Sequence, residues 1–201
     1  MVAQMVELTG DHGLRDIADM LLEHQRVEYI HEGALTFVAM PGFSHLKIVR
    51  LLTKRFVSAH LLGESAVEWD VDAEHLQWEF RDGSRRFFVP DLAVSYPGAG
   101  SRHELQDSVV LVAEVTSPGC ETVANDFEIK PKRCARNGVP FYLLVDQEKG
   151  EWTLHSLIAG RPRYDIHSTG SYGAPIDLPE PFGFSLPNDD WPPYTPEPRE
   201  P

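Results

Sequence analysis

Hydrophobic and polar positions along this 201-residue chain fall into segments of distinct period. Over residues 14–25, Leu14, Ile17, Ala18, Leu21 and Leu22 recur on one helical face and predict an amphipathic helix. Residues 26–40 alternate as a hairpin does, with Glu32-Gly33 at the turn and Ala34–Met40 as the returning strand. Pro41-Gly42 breaks the chain, and Ser44 is a natural N-cap. The spacing then predicts a helix from His45 to about Leu62, burying Leu46, Val49, Leu52, Phe56 and Ala59 or His60, with Gly63 as its stop.

Short strands are expected at Ala66–Trp69 and Leu76–Phe80, followed by a turn at Arg81-Asp82-Gly83-Ser84. The next strand ends in Asp91-Leu92-Ala93-Val94, and Pro97 to about Gln106 reads as a polar loop. Residues 109–115, Val-Val-Leu-Val-Ala-Glu-Val, form a nearly unbroken apolar run, the mark of a strand buried on both faces. A helix is expected from about Asn125 to Asn137, stopped by Gly138 and kinked or split by Pro131. Phe141–Val145 and Glu151–Ile158 pair across the Asp146–Gly150 turn, and Arg163–His167 adds an edge strand. The order strand, helix, strand around Glu114 implies a crossover and therefore a partly parallel sheet. The predicted organisation is a loose N-terminus over 1–13, one domain over 14–186, and a Pro-rich extended tail over 187–201 with no packed element.

Glu114 is the position that carries chemistry. An ionised carboxylate inside an apolar strand is costly unless a cation, a metal or several hydrogen bonds compensate it. Asp91 ends the preceding segment, and Lys130 follows in a basic stretch. Two acids on neighbouring strands with a lysine nearby would make a divalent-metal site suited to phosphodiester chemistry.

Composition bounds this picture. Hydrophobic residues make up 42% and charged residues 24%, ordinary for a soluble domain with a sizeable core. No stretch is long enough to span a bilayer, the N-terminus lacks the pattern of a signal peptide, and the expected location is cytoplasmic. The two cysteines, Cys120 and Cys134, fit reduced thiols, since no zinc-ligand spacing surrounds them. A net charge of −13 opposes nucleic-acid binding by the average surface. Local basic strips remain, at Lys130, Lys132, Arg133 and Arg136 and at Arg81, Arg85 and Arg86, unless these are simply solvated faces.

Pro90-Asp91-Leu92, Ala113-Glu114-Val115-Thr116-Ser117-Pro118, Asp126-x-x-x-Lys130 and Gly138-Val139-Pro140-Phe141-Tyr142-Leu143-Leu144-Val145-Asp146 occur in that order. Together they resemble the Uma-type restriction-endonuclease-like family of the PD-(D/E)XK nuclease superfamily, as does the upstream segment Val27–Leu35 with Pro41 and His45. The resemblance covers about residues 27–186. It implies an α/β fold, a mixed β-sheet flanked by helices, with a Mg²⁺ or Mn²⁺ site at one end. Asp91 and Glu114 would hold the metal, the Val115 carbonyl would complete the set, and Lys130 would orient the attacking water or neutralise the transition state. The implied activity is metal-dependent endonucleolytic cleavage with DNA as substrate. A homodimer would suit cutting both strands, because a two-fold axis matches the duplex.

Three departures mark this chain. Thr116 stands where the superfamily pattern has lysine, so Lys130 takes that place; Phe141 and Cys134 replace the usual glutamate and tyrosine. Structural alternatives stand beside each assignment. Asp91 could cap the turn after Pro90, Glu114 could pair with Arg133 or Arg136, and Lys130 could be an exposed helix residue. Asp126 could pre-position Lys130 or form only a surface salt bridge with it. Glu28 or Glu32 could add a third carboxylate, although hairpin surface charge is the first reading for either, and His45 reads as a phosphate contact, a proton carrier or a capping group. Ser117 lacks the surroundings of a nucleophile and reads as a strand-ending turn. The competing functions are a nuclease-fold binding or assembly module with weak or absent catalysis, and a hydrolase of a small phosphorylated substrate.

Overall fold

In a computed structural model, described for residues 4–7, 27–31, 34–37, 41–73, 76–79, 87–116 and 125–194, strands dominate and three helical segments pack among them. The strands are β1 (Gln4–Glu7), β2 (Val27–His31), β3 (Ala34–Phe37), β4 (Asp70–Asp72), β5 (Trp78–Glu79), β6 (Phe87–Phe88), β7 (Leu92–Ser95), β8 (Val109–Val115), β9 (Phe141–Asp146), β10 (Glu151–Leu157), β11 (Tyr164–Ser171), β12 (Ile176–Asp177) and β13 (Ser185–Leu186). The helices are α1 (Phe43–Leu61), α2 (Arg102–Ser108) and α3 (Lys130–Arg136), the last preceded by a π-helical turn over Asn125–Ile129.

The central sheet has six strands in the order β11-β10-β9-β8-β7-β4. It is mixed: β8 and β9 run parallel, with Leu111 beside Phe141 and Glu114 beside Leu144, and the other neighbours are antiparallel. The parallel pair follows from the crossover through the π turn and α3, as the sequence order predicts. A second sheet, in the order β1-β3-β2-β6-β5, joins the hairpin to the strands just before Asp91. The α/β fold with a mixed sheet is therefore the one expected.

All seven residues of β8 are buried, and alternation divides its side chains between two cores. Leu111, Ala113 and Val115 join Phe56 of α1, Phe182, Phe184 and Trp191; Val112 joins Phe88, Cys134 and Tyr142 on the opposite face. Glu114 lies two residues from Val112 and shares its face. Phe56 sets edge-on against Phe182 and Phe184, with centroids 5.5 and 5.7 Å away, and so fastens α1 to the β12–β13 connection.

Several local expectations need correction. Ser44 does not cap α1: Gly42 holds the N-cap position without a side-chain bond, and the Ser44 hydroxyl donates to the Pro193 carbonyl. Leu46 is exposed, and the inward positions of that turn belong to His45 and Ile48. The strand expected at 66–69 forms at Asp70–Asp72, because Ser65 and Val67 are tied in a local turn through the Ser65 hydroxyl. The polar loop contains α2, started by a capping box: Ser101 Oγ accepts from the Glu104 N–H, and Glu104 accepts from the Gly100 N–H. Pro131 splits the helix as expected, since its missing N–H and bulky ring are tolerated at the start of α3 after a widened π turn. The tail is irregular, but Asn188 is buried and Trp191 joins the main core, so the segment 187–194 is anchored at these two residues. The helix expected at 14–25, the turns at 32–33 and 81–84, Cys120 and Ser117 lie outside the described residues.

Removing the ring that fastens α1 tests this packing. Phe56→Ala should cost about 3–5 kcal/mol by urea denaturation, a loss set by transfer and cavity terms. A cost under about 1 kcal/mol would mean that α1 is held elsewhere.

Candidate functional site

Four buried carboxylates, one ammonium and one imidazole meet at the end of the central sheet. Asp91 sits in the step between β6 and β7, Glu114 near the end of β8, Lys130 at the start of α3, Asp126 in the π turn, Glu28 on β2 and His45 in the first turn of α1. The sequence-predicted acids and lysine are therefore brought together. Glu28, His45 and Asp126 join them.

Lys130 is the hub. Its Nζ lies 3.0 Å from Glu114 Oε2, 3.2 Å from Glu28 Oε1 and 2.8 Å from Asp126 Oδ1, and 5.5 Å from the centroid of the Phe88 ring. It is only 3% exposed, so it is not an exposed helix residue, and it belongs to no basic surface strip. The Asp126 pair is the expected i, i+4 contact, but it is buried rather than superficial. The Asp126 backbone is itself anchored, because the Tyr142 hydroxyl donates to its carbonyl at 2.7 Å.

Asp91 is held by the backbone of the neighbouring strand. The Val115 N–H donates to Asp91 Oδ2 at 2.7 Å, which fixes the carboxylate beside the segment carrying Glu114. The other oxygen, Oδ1, lies 3.4 Å from His45 Nε2. His45 is thus a buried neighbour of Asp91, held inward while Leu46 faces out. Thr116, at the position of the superfamily lysine, bonds instead with Gln147: its hydroxyl accepts from the Gln147 N–H and its carbonyl from the side-chain amide. That residue fastens the end of β8 to the chain after β9.

Glu28 is the residue the sequence hid. A hairpin strand suggested surface charge, yet Glu28 is completely buried, accepting from the Val89 N–H at 3.2 Å. Its burial follows from pairing of β2 with β6, which carries Glu28 to the Pro90-Asp91 segment. The only local clue was its place between Val27 and Tyr29. Glu32 lies outside the described residues.

Glu28, Glu114 and Asp126 surround the Lys130 ammonium, and Asp91 lies against His45. The cluster acts on Asp126. Burial pushes its carboxyl from 3.8 up to about 6; Asp91 and Glu28 push the same way, while Lys130 opposes them. Burial, with Glu114 adding to it, likewise raises the Cys134 thiol and the Tyr142 phenol well above their usual values, so both are neutral near pH 7. Cys134 is a free, buried thiol, as expected.

The carboxylates of Asp91 and Glu114 are oxygen donors, the type a hard divalent cation takes. Among the described residues no group of three or more histidine, cysteine, aspartate or glutamate side chains makes a ready cage.

The six-stranded mixed sheet and its flanking helices define a nuclease-like α/β fold. They match the crystal structure of a "putative nuclease belonging to DUF820" from Anabaena variabilis ATCC 29413, with a TM-score of 0.56 and 17% identity over 86% of this chain and 95% of that one. The chain belongs to the Uma2 family, described as "Putative restriction endonuclease", whose family model matches residues 15–189. No curated protein matches the sequence. Among the described residues no helix is long and apolar enough to cross a membrane.

Two stability measurements probe this buried charge cluster. Lys130→Met should cost about 3–5 kcal/mol at pH 7, because it leaves the carboxylates buried without their cation. A cost near zero would show that the pocket does not depend on the ammonium. Asp126 has a folded pKa above its unfolded value, so its contribution favours folding at low pH and is lost as pH rises from 3.8 through about 6. Asp126→Asn should therefore flatten the pH dependence of stability across that window; an unchanged slope would show that Asp126 does not titrate there.

Proposed function

We propose that this protein is a metal-dependent endonuclease that hydrolyses phosphodiester bonds in DNA. The observation that carries the proposal is the convergence of buried Asp91 and Glu114, joined through the Val115 N–H, with the buried ammonium of Lys130 on Glu114. Membership of the Uma2 family supports the same chemistry.

Asp91, Glu114 and the Val115 carbonyl would hold a magnesium or manganese ion through oxygen. When bound, such an ion lowers the pKa of a coordinated water and offsets charge on the phosphate. The Val115 N–H fixes one Asp91 oxygen, so the other is turned to His45 Nε2. Lys130 presents its ammonium from the Glu114 side, where it can orient the attacking water or stabilise negative charge on the phosphate. The water oxygen forms a new bond to phosphorus and the P–O ester bond breaks, giving a phosphate monoester and a hydroxyl. Glu28 and Asp126 hold Lys130 in place and touch no reacting atom in this scheme.

A second interpretation is a nuclease-fold binding or assembly module. The triple ion pairing of Lys130 favours it, since an ammonium shared by three carboxylates must give up some of that contact to serve a substrate.

Plasmid nicking with Mg²⁺ or Mn²⁺ separates the two. Glu114→Gln and Asp91→Ala should each reduce metal-dependent nicking by about a hundredfold or more while circular dichroism reports an intact fold. Equal nicking by parent and variants would overturn the assignment. Absence of any metal-dependent nicking by the parent would favour the binding module.

A further inference from the structure

Helix α1 is basic in a chain that is acidic overall, as the shorter α3 is. The protein has 31 acidic and 18 basic residues, yet Phe43–Leu61 contains Lys47, Arg50, Lys54 and Arg55 and no acid. Its inner face, with Ile48, Val49, Leu52, Phe56 and Ala59, is spent on the core. Arg55 is occupied as well, pairing with Glu64 and donating to the Ser185 carbonyl. Arg50 and Lys54 are exposed and Lys47 is half-buried, and none of the three makes an ion pair among the described residues. Phe43, Leu46, Val57 and Leu61 continue the same outer stripe and are exposed.

We infer that the outer face of α1 is a docking surface for the phosphate backbone of DNA, with Lys47, Arg50 and Lys54 as its phosphate contacts. The inference rests on the proposed DNA substrate and assigns where that substrate lies. The three cations span about 10 Å along the helix axis, from the 1.5 Å rise per residue. The helix begins at the candidate site, since His45 in its first turn lies against Asp91. A strand tracked along α1 is therefore led toward the carboxylates, and the local cations offset the repulsion of the net acidic surface. Phe43, the most exposed ring of the stripe, stands at the site end, where it can pack against a base. A second copy of the chain is a poorer occupant. A two-fold axis across the middle of α1 would set Arg50 of one copy against Lys54 of the other, a like-charge contact at the centre of the interface.

The test is fluorescence anisotropy of a labelled mixed-sequence duplex of roughly 20 base pairs, with EDTA present so that binding is read without cleavage, across a salt series. The parent protein should bind, and K47Q/R50Q/K54Q should bind about tenfold or more weakly, with a log–log salt slope shallower by about 2 to 3. The double variant R50Q/K54Q, which leaves half-buried Lys47 in place, should fall between them. Equal affinity and slope for all three proteins would overturn the inference, as would no binding by the parent. A change in sedimentation mass on mutation, with DNA binding unaltered, would assign the stripe to a second copy and also overturn it. Hydrolysis of bis(p-nitrophenyl) phosphate, which is too small to reach α1, separates this result from the proposed chemistry: its loss in Glu114→Gln and retention in the triple variant are expected. Failure of hydrolysis in the parent would count against the nuclease proposal while the anisotropy still decides the surface.

Discussion

One ammonium enclosed by three carboxylates sets the terms for the rest of this structure. Lys130 reaches Glu28, Glu114 and Asp126 from a buried position, and each comes from a different part of the fold. A charged cluster of this kind is expensive to desolvate, and it persists only where geometry is good and the remaining polar groups are satisfied. The N–H groups of Val89 and Val115 serve Glu28 and Asp91, and the Tyr142 hydroxyl serves the Asp126 backbone. The second sheet, the central sheet and the π turn are thus bound to one another through the site.

The scaffold makes that arrangement possible by simple means. Alternation along β8 gives Val115 to one core and Glu114 to the opposite face. The crossover to β9 returns the chain over that face, and the π turn before Pro131 lets Asp126 and Lys130 both point inward. π turns recur at functional sites because an extra residue per turn re-aims side chains without ending the helix. On the other side of the sheet, Phe56 fixes α1, and α1 in turn delivers His45 to Asp91.

What the sequence revealed follows the range of the interactions involved. Glu114 was legible because an apolar run cannot hold a carboxylate without a partner, and the β8–α3–β9 crossover because strand, helix and strand follow one another directly. The i, i+4 spacing of Asp126 and Lys130 was equally local, though its burial was not. Glu28 was ranked as surface charge above a third carboxylate because its burial depends on pairing between β2 and β6, which are far apart in sequence. Helix α2 was missed although Ser101 and Glu104 spell a capping box, since the segment has too few apolar positions to show a helical period. The stretch around Lys130 divides: Lys130 is turned inward, while Lys132 and Arg136 are exposed, and α1 adds exposed Arg50 and Lys54.

On the proposed function, the buried carboxylates of Asp91 and Glu114 make this pocket a receptor for a hard divalent cation. Isothermal titration of Mg²⁺ and of Mn²⁺ into the parent protein and Glu114→Gln, at low and moderate salt, tests it without recourse to any substrate. Saturable binding by the parent that is lost in the variant is the predicted result. No binding by the parent, or equal binding by both proteins, would contradict it and leave Glu114 as a structural partner of Lys130.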